Sequence, residues 1–452
     1  MDNKVICYIC ADLNAPSSLR KFRQFTTVAA KKGIGVVGVW PGYYWQAEEN
    51  RWKLDIFRMF AQQTFDAVFV DAEGFEDVKT LRHQAKLAAE KSIPFFVLDM
   101  EVDGAVSILF DDKKAFFESF HHLSEVHNCK NIFFVGDLGL PYASARCLEY
   151  YKEALAETGA EFDENRVAYC NTLIATGSEN VAVRIHSAKP DGIICSHPGV
   201  ASVACGALKA MGYSVPGNIV MASLNSITDR RSGIPDMTGG RRDFAKMAEK
   251  CIDVLEKKLA GKRVRKVYEV PMDCRLSESC GCGYVEIIDE QYLLRSLIMQ
   301  RDISLAQERR QNTLLDHFFK CKRLEDLAVP IQNVLPEGTY FCSRDCFIEA
   351  PEDAAKAASS VETFHIFASV AGTKNGEDFN REYLRNAAFR QMEKGEPLIL
   401  YPVFTREGFY GLVVSETDNF YERQVMMARF LMNISRNFFL LVKSIESTKR
   451  LS

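Results

Sequence analysis

The sequence predicts an α/β protein of more than one domain, on three observations. Its 452 residues exceed what a single hydrophobic core fills, because cores stop growing at about 250–300 residues. Short apolar runs alternate with longer amphipathic stretches that end in glycine. Beyond Tyr284 this alternation gives way to one uninterrupted helical stretch, then to a mixed pattern of strands and helices.

Seven apolar runs read as buried strands: VICYICA (Val5–Ala11), GVVGVW (Gly35–Trp40), DAVFVD (Asp66–Asp71), PFFVLDM (Pro94–Met100), NIFFVG (Asn131–Gly136), DGIICS (Asp191–Ser196) and NIVMASL (Asn218–Leu224). Between them, LRKFRQFTTVAAKKG (Leu19–Gly33) and ASARCLEYYKEALAETG (Ala143–Gly159) carry apolar residues at helical spacing and stop at glycine. Strand alternating with helix implies parallel sheets, whose ligands bind beyond the carboxyl ends of the strands.

Tyr284 to Phe319 contains neither glycine nor proline and reads as one long helix. Ile287 and Leu294 are seven residues apart, as are Ile298 and Leu305, while Arg301 and Asn312 interrupt the seams. A ragged parallel coiled coil in a homodimer accounts for this pattern and is favoured; a helix lying along its own chain is the other reading. Beyond Lys320, GTYFCSRDCFI (Gly338–Ile348) and TFHIFASVA (Thr363–Ala371) read as strands. LILYPVFTREGFYGLVVSE (Leu398–Glu416) reads as two more around an Arg-Glu-Gly turn, and an amphipathic helix begins near Tyr421. Together they predict an α+β layer.

A formal net charge of −4 and a pI near 6.1 argue against a broad nucleic-acid-binding surface, which needs clustered Lys and Arg. The densest basic run, Lys257 to Lys266, reads as a solvated helix end closed by Gly261. The N-terminus lacks the pattern of a signal peptide, and no apolar run reaches the roughly eighteen residues of a bilayer span. A cytoplasmic protein is expected. Its fourteen cysteines fit a reducing compartment, because most, such as Cys7, Cys10, Cys170, Cys195 and Cys251, stand singly in apolar segments as buried thiols.

Four stretches, in order, carry a resemblance: IPFFVLD (Ile93–Asp99), FDDKKAFFESFHHL (Phe110–Leu123), SARCLEYYKEAL (Ser144–Leu155) and GYSVPGNIVMASLNS (Gly212–Ser226). They resemble the sugar-binding core shared by the lactose-repressor family and the ribose-type periplasmic binding proteins. The resemblance implies two similar lobes joined by crossing strands, with a small molecule, a sugar or another metabolite, enclosed between them. Repressors of that family carry a helix-turn-helix ahead of the core. This chain starts on its first strand, so direct DNA binding is not expected.

By the same resemblance, Asp99 matches the sugar-binding aspartate; read alone, it either accepts hydrogen bonds from ligand hydroxyls or caps a turn. Arg146 matches an arginine that reaches into the cleft, and a surface salt bridge is its alternative. Asn225 stands where the family usually has an acidic residue. An Asn-Asp pair is missing from SHPGVASVACGAL (Ser196–Leu208), where His197 either fills part of that role or is solvated. Asn14, after the first strand, and Trp45 complete the candidate set. Trp45 lies with Trp40, Trp52, Tyr43 and Tyr44 in WPGYYWQAEENRW, which reads as core or partner surface before it reads as cleft lining. Asp111 and Asp112 read as helix N-cap residues.

The stretch CRLSESCGCGY (Cys274–Tyr284) sets Cys280 and Cys282 one residue apart, without the CxxC spacing of zinc or redox motifs. No metal ligand is expected there. It resembles the Ser-Cys-Gly-Cys phrase that closes the binding core of sensor chains, and so marks a junction. Three parts follow: a periplasmic-binding-protein-like sensor over 1–276, a linker and signalling helix over 277–319, and a segment over 320–452 that resembles a GAF domain, chiefly at PVFTREGFYGLVV.

GGRRDF (Gly239–Phe244) echoes a diguanylate cyclase signature but is disrupted by two arginines. No P-loop, HExxH or G-x-S-x-G elbow occurs, so neither catalytic residues nor a cofactor are expected. The expectation is a cytoplasmic sensor of transcriptional or signalling control that acts through a partner protein. The alternative is a dimerisation scaffold with a degenerate cleft.

Overall fold

The structure is a computed structural model and describes residues 4–10, 16–40, 64–73, 78–172, 176–226, 234–283, 290–318, 320, 335, 337–349, 363–370, 374–405 and 408–416. The first part of the chain runs β1 (Lys4–Cys10), α1 (Pro16–Lys31), β2 (Ile34–Val39), β3 (Ala67–Asp71), α2 (Val78–Glu90), β4 (Phe95–Leu98), β5 (Val106–Phe110) and α3 (Asp112–His121). It continues through β6 (Ile132–Asp137), α4 (Pro141–Glu157), β7 (Val167–Cys170), α5 (Ser178–Ala188), β8 (Gly192–Cys195), α6 (Pro198–Ala210) and β9 (Val220–Asn225). Next come β10 (Thr238–Arg241), α7 (Phe244–Leu259), β11 (Val267–Val270), β12 (Asp273–Arg275) and α8 (Glu290–Phe318). The last elements are β13 (Thr339–Glu349), β14 (Thr363–Ser369), β15 (Asp378–Asn380), α9 (Arg381–Glu393), β16 (Leu398–Thr405) and β17 (Gly408–Ser415). Each of the seven apolar runs holds a strand, and the long helix lies inside its expected span. The expected helix near Tyr421 lies outside the described residues.

By packing, the chain forms two compact units. One comprises Met1–Leu109, Phe244–Tyr268 and Asp302–Ser452; the other comprises Phe110–Asp243 and Glu269–Arg301. The fold is α/β with parallel sheets, as the alternation of elements predicts.

The first unit is built on a sheet of order β11-β5-β4-β3-β1-β2-β16-β17-β13-β14-β15. From β5 to β2 the strands are parallel. β16 then joins β2 in parallel, with Val37 opposite Leu398 and Val39 opposite Leu400, and from β16 onward the pairs are antiparallel. Within residues 320–452, β13–β17 thus continue the sheet begun by β1–β5. One hydrophobic cluster follows it, taking in Val5, Val37, Val39, Leu384, Leu398 and Leu412. On α1, the periodic residues Phe22 and Phe25 meet Tyr8, and Phe25 reaches Phe69, which stacks on Phe96. Full burial of each such side chain stabilises the fold by about 1.5–3 kcal/mol.

The second unit has sheet order β12-β10-β9-β8-β6-β7, parallel throughout except for β12. One face packs Val181, Ile185, Val200 and Leu208 of α5 and α6, and the other packs Phe116, Phe120 and Tyr151 of α3 and α4. The two glycines of GGRRDF have a packing role. A Cβ on Gly239 would stand 2.3 Å from the Ser223 carbonyl oxygen, and one on Gly240 2.2 Å from Met272 Cε. Cys7, Cys10, Cys170, Cys195 and Cys251 are buried, as read from their apolar surroundings.

Candidate functional site

In the second unit, polar side chains gather at the carboxyl ends of the parallel strands. Asp137 closes β6 and is wholly buried. The Gly139 and Thr172 amides donate to its Oδ1 at 2.8 and 3.2 Å, and the Thr172 hydroxyl donates to its Oδ2. His197 Nε2 lies 2.8 Å from the same Oδ2. Because His197 caps α6 by accepting the Gly199 amide on Nδ1 at 3.1 Å, its neutral ring carries the proton on Nε2, facing Asp137. Burial pushes the Asp137 carboxyl up, but the hydrogen bonds from His197, Thr172 and Gly139 outweigh it and hold the group below the usual range. The Ser144 hydroxyl extends the cluster, accepting from the Asp137 amide at 2.6 Å and donating to Ser196 Oγ at 3.3 Å.

Asn225 ends β9, the strand beside the one that leads to His197. Its carbonyl accepts from the Ser223 hydroxyl at 2.6 Å. Its side-chain Oδ1 is buried with no hydrogen-bond partner among the described residues. A buried acceptor without a partner costs stability and is a ready contact for a ligand donor.

Arg146, on α4, turns to a partner in its own unit, with Nη2 2.5 Å from Asp112 Oδ2. Arg242 Nη2 approaches Asp112 Oδ1 at 3.6 Å. Asp111 caps α3 as expected, accepting the Lys114 amide at 3.1 Å. Asp112 is instead buried in the first turn, between two guanidinium groups.

In the first unit, the Asp99 carboxylate bonds to Lys21, whose ammonium also meets Asp71 at 2.7 Å and Glu73 at 2.9 Å. Asp99 adopts a left-handed φ of 63°, a strained conformation for a non-glycine residue. Asp71 is fully buried, which raises its carboxyl to about 6 against the pull of Lys21. Three clustered carboxylates could hold a metal ion, but here the Lys21 ammonium sits among them.

The structure therefore places His197 with Asp137, Arg146 with Asp112, and Asp99 with Lys21. Asn14 and Trp45 lie outside the described residues. Of the aromatic cluster, Trp40 is described: it is buried, with its ring 5.4 Å from that of Tyr401. Sequence reasoning passed over Asp71 and Asp137, although each ends an apolar strand just as Asp99 follows one. Lys21 carried a weaker signal, a lone cation on the apolar side of α1 next to Phe22.

Two α/β units with polar strand ends define a periplasmic-binding-protein-like fold. Residues 120–278 match a family model described as a periplasmic binding protein-like domain. Among solved structures, the chain is similar to the transcriptional regulator CelR in complex with cellobiose, at 16% identity and a TM-score of 0.50, covering 61% of this chain and 84% of that one. It is similar to the transcription regulator CcpA of Lactococcus lactis at 16% identity and a TM-score of 0.51, over 61% and 99% of the two chains. A LacI family transcriptional regulator from Arthrobacter sp. FB24 in complex with lactose gives 19% identity and a TM-score of 0.50, again over 61% and 99%. At these identities the likeness is one of fold. No curated protein matches the chain. Among the described residues, no helix is long and apolar enough to cross a membrane.

Proposed function

We propose that the chain is a cytoplasmic small-molecule sensor for transcriptional or signalling control, working by binding rather than catalysis. The observation that carries this reading is the carboxyl-edge cluster of the second unit, where Asp137, Thr172 and His197 form a hydrogen-bonded polar set and, two strands from Asp137, Asn225 Oδ1 is buried with no partner among the described residues. Fixed donors and acceptors at strand ends are how α/β folds recognise small polar ligands. In this reading His197 and Asn225 contact a sugar-like or other polar metabolite, together with Asp99, Arg146, Asn14 and Trp45. The core over 1–276 signals through the helix of 277–319 to the GAF-like segment of 320–452. The chain acts as a homodimer and hands its output to a partner protein, without touching DNA itself.

A second reading, a dimerisation scaffold that binds no ligand, is favoured by one observation: Asp99 and Arg146 are already engaged by Lys21 and Asp112. Isothermal titration of the full chain against sugars, nucleosides and amino acids separates the two. The sensor reading expects saturable binding that weakens at least about tenfold in Asn225→Ala, the loss of one good hydrogen bond. A silent panel, with tryptophan fluorescence unmoved by every compound, supports the scaffold.

A further inference from the structure

The end of α3 and the cysteine junction, 155 residues apart in sequence, meet in the second unit. Past His121 the helix widens over His122–Val126, and the His127 amide donates to the His122 carbonyl, five residues back, at 3.3 Å. Such widened turns are frequent at functional sites. This one brings the two imidazoles together, with Nε2 of His122 3.1 Å from Nε2 of His127. Cys282 Sγ lies 3.3 Å from His127 Nε2. Gly281, at a left-handed φ of 81°, makes the tight turn between the two cysteines. One donor atom from each of His122, His127, Cys280 and Cys282 lies within 4.8 Å of every other.

We propose that these four residues form a tetrahedral Cys2His2 site for Zn2+. Zinc–nitrogen bonds near 2.0–2.1 Å and zinc–sulfur bonds near 2.3 Å place the ligand atoms of a tetrahedron about 3.3–3.8 Å apart, and the contacts of 3.1 and 3.3 Å come within a few tenths of an ångström of that spacing. Two thiolates and two imidazoles are a donor set for zinc rather than for magnesium or calcium, which take oxygen ligands. His122 and His127 have the H-x4-H spacing of zinc modules, and only the single residue between the cysteines departs from it.

The surroundings complete the site. Cys280 is buried and Cys282 exposed, so the ion has both a protected ligand and a way in. The Thr238 hydroxyl accepts from the Ser277 amide at 2.9 Å and donates to Cys280 Sγ at 3.1 Å. That oriented donor steadies a thiolate and fixes the ligand's position, while the neutral thiol donates to the Ser277 carbonyl at 3.3 Å. The cysteines lack CxxC spacing, and their partners come from a distant segment, which is why they read as a mere junction in sequence. Bound zinc would tie the segment that leads toward α8 to the end of α3.

The test uses the full chain, purified under reducing conditions and stripped with a chelator. Titration with Co2+ is expected to give the visible bands of a tetrahedral ion and a thiolate-to-cobalt absorption, saturating at about one equivalent, with Zn2+ displacing it. The exposed-ligand variant Cys282→Ser and, separately, His127→Asn should each lose the tetrahedral spectrum while keeping the circular dichroism of the parent. The proposal is overturned by a parent chain that gives no such spectrum, by variants that bind like the parent, or by a Cys280–Cys282 disulfide that mass spectrometry finds to persist after purification under reducing conditions.

Discussion

Lys21 Nζ lies 2.7 Å from Asp71 Oδ1, with the two side chains only 2% and 0% exposed. Glu73 and Asp99 close on the same ammonium. The Lys21 ammonium meets all three carboxylates, so its removal takes that offset away from buried negative charge. Lys21→Met is expected to cost about 3–5 kcal/mol, and Asp71→Asn in the same chain to recover part of that loss by removing one of the charges. Urea unfolding of the single and double variants measures both. Equal losses in the two would show that the ammonium does no more than fill space.

The two buried strand-end aspartates give opposite pH signatures. Asp71 binds its proton more tightly folded than unfolded, so its contribution is complete below about pH 4 and is lost as pH rises toward about 6. Asp137, held below the usual carboxyl range, contributes above about pH 4, and that contribution is lost as pH falls through its lower folded value. Thermal unfolding across this range should show Asp71→Asn flattening the curve between about pH 4 and 6, and Asp137→Asn flattening it on the acid side. A curve unchanged by either variant contradicts the assignment.

Gly38 sits where β2 meets both α1 and β16. A Cβ there would stand 2.7 Å from Phe22 Cζ and 2.6 Å from Ile399 Cδ1, so Gly38→Ala is expected to destabilise by about 1–3 kcal/mol through overpacking. Deleting residues 320–452 should do worse, since it uncovers the apolar edge of β2 and its share of the common core. Light scattering of the truncated chain should report aggregation. A monodisperse, fully folded 1–319 fragment would contradict this.

On α8, Leu294, Ile298 and Leu305 are exposed at spacings that suit a partner helix. Ile298→Asp is expected to convert a homodimer into a monomer in sedimentation equilibrium. A monomeric parent chain would instead make this helix a face for a different protein.

Most of the parallel part of the fold was legible because buried strands of a parallel sheet are continuous apolar runs, and runs such as NIFFVG and DGIICS admit little else, although the parallel strands β5 and β7 were passed over. The short strands β10 to β12 were not legible. The four residues of β10, Thr238–Arg241, include two glycines, chosen for close backbone approach and carrying no apolar signature. In the site, Asp99 and Arg146 stood out as single residues, but sequence could not show that Lys21 and Asp112 were waiting for them. Ion partners separated by 78 and 34 residues are set by tertiary packing. His197 was placed in a loop with its partner unknown, because Asp137 reaches it only once β6 and β8 lie side by side.

The pairing of β2 with β16 also bears on the order of events at the ribosome. Ile34–Val39 leaves the exit tunnel hundreds of residues before Leu398–Thr405 exists, while domains usually fold in the order they are made. Until Leu398–Thr405 has been made, the growing polypeptide must hold an unfinished apolar border in solution, and that interval is where chaperone capture would concentrate.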